Sequence, residues 1–280
     1  MYKRILTVQD ISCVGQCSLT VALPLLSACG LETAILPSAV LSTHTAGFKG
    51  YTFRDLTEDM PKIADHWRRE KISFEAIYTG YLGSAEQIAY VIDLMRTTLA
   101  PGGRTIVDPA MADNGRLYPG FDAAFVAEMR KLCAEAQIIV PNITEACQLT
   151  GDEYRETYDE AYVDALLANL TKIGAKTVVL TGVSYDAATT GVVTWDGKEK
   201  KYYRHKKIPK SSHGTGDVYT SVFTGALMRG LSVYDAARVA ADMTVVAIER
   251  TVDDDSHWYG AKFELMIPDL VKTLSEEAPE

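Results

Sequence analysis

Basic clusters are scarce in this 280-residue chain. No Lys/Arg run is longer than pairs such as Lys206-Lys207, and the net charge is -9 with a pI near 5.1. Phosphate backbones are held by basic stripes, so nucleic acid is excluded as a partner. Cysteine is sparse too: the five residues Cys13, Cys17, Cys29, Cys133 and Cys147 are odd in number and form no C-x-x-C pair. That excludes a disulfide framework and a structural zinc site, and it leads us to expect reduced thiols in a cytoplasmic protein. The opening residues Met1 to Val8 hold no signal-like apolar stretch. No run approaches the roughly 18 apolar residues of a membrane helix, so no membrane association is expected. There is no G-x-x-x-x-G-K-[ST] loop and no dinucleotide fingerprint. His44, His66, His205, His213 and His257 lack metal-ligand spacing, and Asp253-Asp254-Asp255 reads as a solvated turn. Internal repeats, low-complexity tracts and clear linkers are absent as well.

What is present is core material. Hydrophobic residues are 47% of the chain and charged ones 23%, enough for one large α/β domain. Short apolar runs read as parallel strands: 5–8, 33–36, 76–78, 105–107, 138–140 and 177–180. Helical stretches alternate with them. Residues 18–29 end at Gly30. Ser84 to Gln87 fits a capping box, followed by a stripe of Ile88, Val91, Ile92, Met95 and Leu99. A second stripe, Val163, Leu166, Leu167, Leu170 and Ile173, closes at Gly174. The alternation predicts an α/β fold, a mainly parallel sheet with helices on both faces, in a single domain over 1–280. Asp196-Gly197 predicts a hairpin turn within 190–207. Residues 38–53 are rich in Gly and Thr, and we expect a lid or substrate loop there.

In open α/β sheets, ligands sit beyond the carboxyl ends of the strands. The residues following the apolar runs are Gln9-Asp10, Thr79-Gly80-Tyr81, Asp108-Pro109, Asn142 and Thr181-Gly182, all polar, glycine or proline. Two short motifs stand out. Gly214-Thr215-Gly216-Asp217 heads an apolar helix, where glycines and free amides suit an anion. Asp217 is then either a helix-start cap or a base that takes a proton from an alcohol attacking a phosphoryl group. Asn142-Ile143-Thr144-Glu145 is either a capping box or a set of oxygen ligands for Mg²⁺.

Together these motifs, with Ser42-Thr43-His44-Thr45, Thr79-Gly80-Tyr81 and Asp108-Pro109-Ala110-Met111-Ala112-Asp113, resemble the ribokinase-like kinases, and most closely the pyridoxal/pyridoxamine kinase branch. The resemblance covers most of the chain. It implies ATP-dependent phosphorylation of the 5′-hydroxymethyl of a B6 vitamer. Asp217 would be the base, and Gly214, Thr215 and Gly216 the anion hole. Asn142 and Glu145 would organise Mg²⁺ and its water, with Asp108 and Asp113 placing metal and phosphates. Thr181, with Gly182 beside it, would meet ATP phosphate. His44, Thr45 and Tyr81 would line the ring pocket. A monovalent cation such as K⁺ and a homodimer are also implied. The first loop departs from the family pattern: Asp10 stands where many relatives have serine, or Ser12 takes that role. Hydroxymethylpyrimidine kinase is the enzymatic alternative, although its glycine-rich first loop is missing. A catalytically silent vitamin- or nucleotide-binding protein is the alternative of another class.

Overall fold

Successive side chains on a strand point to opposite faces, and in the central strands of this chain both directions are apolar. Leu6 and Val8 enter one core while Ile5 enters another, and Ile77/Tyr78, Val107/Ile106, Ile139/Ile138 and Val178/Val179 divide the same way. Only a sheet covered on both faces accommodates that pattern.

The structure, a computed structural model, describes residues 2–209 and 212–279. Along the chain run β1 (Arg4–Ser12), α1 (Leu19–Ala28), β2 (Glu32–Leu41), β3 (Phe53–Asp55), α2 (Met60–Arg69), β4 (Phe74–Thr79), α3 (Ala85–Thr98) and β5 (Leu99–Val107). The small hairpin β6 (Ala112–Asp113) and β7 (Arg116–Leu117) precedes α4 (Ala123–Glu135), β8 (Ile138–Ile139), α5 (Ile143–Thr150) and α6 (Glu160–Lys172). Then come β9 (Thr177–Val183), β10 (Thr189–Trp195), β11 (Lys200–Lys206), α7 (Thr215–Met228), α8 (Val233–Glu249) and α9 (Ile267–Glu277). Nine strands form one sheet in the order β11-β10-β9-β8-β5-β4-β1-β2-β3. The six from β9 to β2 are parallel, while β3 at one edge and β10 and β11 at the other are antiparallel. Helices α2 to α6 cover one face, and α1, α7, α8 and α9 cover the other. This is the α/β architecture the alternation predicts.

Several boundaries differ from expectation. Ser38 to Leu41 belong to β2, which pairs with β3 from Leu41↔Phe53 to Ala39↔Asp55, so the connecting loop is only 42–52. Leu99 leaves the α3 stripe and opens β5 with extended backbone, two residues before Pro101. Gln87 completes only half of the capping box: Ser84 accepts from its N–H at 3.2 Å, but its own Oε1 takes the N–H of Gly83. Gln9-Asp10 and Thr181-Gly182 lie inside strands rather than after them. β1 reaches Ser12 past a register shift between Gln9 and Ile11, where β2 carries one extra residue opposite Asp10.

The connectivity sets the site. β1 pairs with β2 on one side and with β4 on the other, so successive crossovers leave β1 in opposite directions. Ligands bind at such a switch point, and Asp10, beside the register shift between β1 and β2, lies there. Helices α1 and α7 start at this end and pack side by side, approaching closely toward their C-terminal ends at Gly225. A Cβ at Gly225 would fall 2.3 Å from Cys29 Sγ. We predict that Gly225→Val lowers stability by about 1–3 kcal/mol, and that Cys29→Ala in the same background recovers part of the loss. Thermal unfolding of the single and double variants checks this, and an unchanged Tm for Gly225→Val would contradict the packing.

Candidate active site

The site is built on acids at the carboxyl ends of the strands and at the start of α7. Gly214 precedes α7 with φ 76, and a Cβ there would lie 2.1 Å from the Gln16 carbonyl oxygen. The chain itself therefore requires this glycine. Gly216 has nothing within 4 Å of its Cβ position. Its missing side chain leaves open room at the helix start, as an anion site needs. The first helical hydrogen bond runs from Val218 N–H to the Gly214 carbonyl, so the N–H groups of Thr215, Gly216 and Asp217 precede the ladder. Thr215 Oγ1 donates to the Ser212 carbonyl at 3.2 Å.

Asp217 is largely buried, and burial pushes its carboxyl up to about 7, opposed by the Ser18 backbone and aided by the charge of Asp10. Asp108 is 8% exposed, and its Oδ2 accepts from Thr220 Oγ1 at 2.7 Å. Burial and the charge of Asp217 raise it to about 8. Glu145 is 3% exposed, and burial and then the charge of Asp108 raise it well above the carboxylate range. No Lys, Arg or His is among the groups that shift Asp108, Glu145 or Asp217. The acids thus form a chain, Asp10 to Asp217 to Asp108 to Glu145, in which His44 acts on Asp10 at one end and no Lys, Arg or His shifts the other three. Among the described residues no three His, Cys, Asp or Glu side chains converge into a metal cage.

The N-x-x-E motif forms the complete capping box of α5. Asn142 Oδ1 accepts from Glu145 N–H, and Glu145 Oε2 accepts from Asn142 N–H, both at 2.9 Å. Glu145 Oε1 also takes the N–H of Met111 at 3.2 Å, and Asn142 Nδ2 donates to the Ala112 carbonyl at 2.9 Å. Both oxygens of Glu145 therefore already hold backbone, whereas Asp108 keeps Oδ1 clear. Asp113 is exposed and bonded to Asn114. Thr181 leans on the Pro141 carbonyl through N–H at 2.9 Å, and Gly182 has φ 71 with open space around it.

On the other side of Asp217, Asp10 is 5% exposed. Ser12 Oγ donates to its Oδ2 at 2.9 Å and Ser18 Oγ to its Oδ1 at 2.6 Å. Asp10 and Ser12 are therefore one hydrogen-bonded unit rather than alternatives. Tyr81 and His44 both sense the charge of Asp10 or act on it. His44 accepts from Ala46 N–H and so donates from Nε2 to the Tyr259 carbonyl at 2.7 Å, and its ring lies 5.4 Å from that of His213. Tyr81 stacks on Phe121 at 5.5 Å. Thr45 is exposed on the loop. The sequence reading missed Ser18, Tyr118, Phe121 and Thr220. Tyr118 feels the charges of Glu145, Asp108, Asp113 and Asp217, so it sits among the acids. No short motif marks these residues, because tertiary contacts alone bring them here.

Fold and site define a ribokinase-like kinase. The phosphomethylpyrimidine kinase profile matches residues 34–260, and the chain belongs to that family. A phosphomethylpyrimidine-kinase-like protein of Bacteroides thetaiotaomicron, solved with pyridoxal, is 36% identical, with TM-score 0.91 and 96% of both chains covered. Pyridoxal kinase from Lactobacillus plantarum is 30% identical, with TM-score 0.90 and full coverage of both chains. A pyridoxine/pyridoxal/pyridoxamine kinase of Bordetella avium is 28% identical over 265 residues, 90% of this chain and 86% of its own. Hydroxymethylpyrimidine/phosphomethylpyrimidine kinases match with the same 28% identity. No helix among the described residues is long and apolar enough to cross a membrane.

The raised acids make a stability prediction. A carboxyl whose pKa is higher folded than unfolded keeps its proton longer in the native state. The native state then binds more protons, and stability falls as pH rises from about 4, the unfolded value, toward about 8. Without divalent cations, Tm should fall between pH 5 and pH 8, and Asp108→Asn should flatten the decline. A Tm that rises with pH across that window would contradict the burial of these charges.

Proposed function

We propose that the protein is an ATP-dependent kinase that phosphorylates the 5′-hydroxymethyl of a B6 vitamer, acting as a single domain. The observation that carries the reading is Asp217, a carboxyl held near 7 at the head of a helix whose first turn has open room at Gly216. A base with pKa near the working pH is effective, whereas a helix cap has no need of a raised one. Asp217 takes the proton of the vitamer hydroxymethyl, and the oxygen attacks the γ-phosphorus as the bond to the ADP oxygen breaks. The N–H groups of residues 214–217 receive the transferred group, and Thr181 and Gly182 receive the remaining phosphates. The pair Asp108 and Glu145, hard oxygens without a protein counter-charge, fits Mg²⁺. Asp108 would hold it directly and Glu145 through its water, and the ion would neutralise charge on the phosphoryl oxygens. A monovalent cation such as K⁺ and a homodimer belong to the same reading.

Asp10 supports a vitamer with a cationic group. A charge-assisted hydrogen bond exceeds a neutral one, so pyridoxamine, with its ammonium, suits this site better than pyridoxal. Hydroxymethylpyrimidine presents the same kind of alcohol on a nitrogen ring, and the 28% identical relatives named for it make it the second candidate.

Turnover of pyridoxamine, pyridoxal, pyridoxine and hydroxymethylpyrimidine with Mg-ATP and K⁺ tests the reading. A B6 vitamer should have the highest kcat/KM. Turnover of none would end the kinase proposal, and preference for hydroxymethylpyrimidine would reassign the substrate. Asp217→Asn should cut kcat by at least ~10², a typical general-base contribution, with nucleotide affinity kept. Because the base must be ionised, wild-type kcat/KM should fall as pH drops below about 7. A flat profile down to pH 5, or full turnover by Asp217→Asn, would reduce Asp217 to a cap.

A further inference from the structure

Three segments far apart in sequence meet at Gln16 without room to spare. A Cβ at Gly214 would lie 2.1 Å from the Gln16 carbonyl oxygen. A Cβ at Gly260 would lie 2.7 Å from Gln16 Cβ and 2.8 Å from the Gly15 carbonyl oxygen. The Ala261 N–H donates to the His213 carbonyl at 3.2 Å and so ties the second segment to the third. The side chain of Gln16 is held at both ends of its amide. A carboxylate only accepts hydrogen bonds, so Glu264 takes the amide NH₂, its two oxygens lying at 2.8 and 2.7 Å. That turns Oε1 toward His257, whose Nε2 donates to it at 2.6 Å. The backbone of Gln16 has φ 53, a region that suits glycine, and another residue stays there only where its surroundings impose it. The Tyr259 carbonyl accepts from His44 Nε2, so the segment from His257 to Ala261 touches both the loop 42–52 and the turn before α7.

We propose that Gln16 is a positioning residue for phosphoryl transfer: clamped by His257 and Glu264 and wedged between Gly260 and Gly214, it holds in place the turn whose N–H groups receive the transferred group. The inference rests on the kinase reading given above. Gln16 acts through the main chain of Gly214 rather than on the substrate. Amides that meet developing charge count in the transition state, so a loosened turn lowers kcat and leaves the vitamer KM largely alone. Removing one such donor costs about 10²–10³ in kcat, and displacing it costs less.

The clamp can be broken and rebuilt by exchanging its polar ends. Gln16→Glu sets two carboxylates against each other. Glu264→Gln added to it restores an amide facing a carboxylate, with the roles exchanged, and His257 keeps its acceptor. We therefore compare Gln16→Glu and the double variant with wild type on the vitamer that wild type turns over best, below the Tm of each. Mg-ADP affinity is measured alongside. A wild type without turnover on any vitamer refutes the kinase reading and this inference with it. With an active wild type, Gln16→Glu should lose ~10-fold or more in kcat, with the vitamer KM and Mg-ADP affinity within ~3-fold of wild type. The double variant should return to within ~3-fold of wild-type kcat. Unchanged kcat in Gln16→Glu, whatever its Tm, would overturn the proposal and leave Gln16 a structural wedge. So would a loss confined to KM, or a kcat loss that Glu264→Gln does not recover. If Gln16→Glu does not fold, Glu264→Ala decides, because Glu264 is exposed and the change adds no charge. A kcat loss above ~3-fold at unchanged vitamer KM then supports the proposal, and a smaller one overturns it.

Discussion

Mutual repulsion among buried acids is the constraint on which this site depends. Asp10, Asp217, Asp108 and Glu145 follow one another along the carboxyl ends of the strands and the start of α7, each raising the next or being raised by it. His44 acts on Asp10, but no basic side chain is among the groups that shift Asp217, Asp108 or Glu145. Burying charge without a partner is costly, and a protein keeps such an arrangement where a ligand supplies the counter-charge. The acids divide by surroundings. Glu145 is tied to backbone N–H groups on both oxygens and fixes α5 to the segment before β6. Asp108 has one oxygen bound to Thr220 and one clear. Asp217 has the open helix start at Gly216 beside it. The acid with the fewest restraints is the one placed to move a proton.

The fold delivers these groups by ordinary means. A parallel sheet brings its carboxyl ends to one edge, and the reversal of connectivity about β1 opens a crevice there. A one-residue bulge in β2 shifts the register beside Asp10. The close approach of Gly225 to Cys29 packs α1 and α7 together toward their C-terminal ends. The Gln16 carbonyl, seated on Gly214, fixes the start of α7 from the loop side.

Much of this was legible in the residues. Two-way apolar runs such as Ile138-Ile139 announced a doubly covered sheet. Asp196-Gly197 announced the β10–β11 hairpin, and Asn142 with Glu145 announced a capping box that the structure completes. Local physics writes these signals within a few positions. What stayed hidden depends on distant partners. Asp10 could not be placed within β1 without knowing that a bulge interrupts its pairing with β2. Gly214 read as room for a ligand, although Gln16, far off in sequence, is what forbids a side chain there. Ser18 looked like an ordinary helix start, because its positive φ and its bond to Asp10 exist only after folding. Tyr118 and Thr220 carried no pattern at all.

The account stands or falls on the ionisation of Asp217. Carbon-13 NMR of the aspartate side-chain carboxyls in the full chain, free of nucleotide and divalent cation and assigned with Asp217→Asn, measures it directly. A midpoint near 7 that vanishes in the variant is the result expected from a buried carboxyl beside Asp10. A midpoint near 4, the ordinary value for an exposed aspartate, would show that the site does not hold its base in readiness and would contradict the central claim.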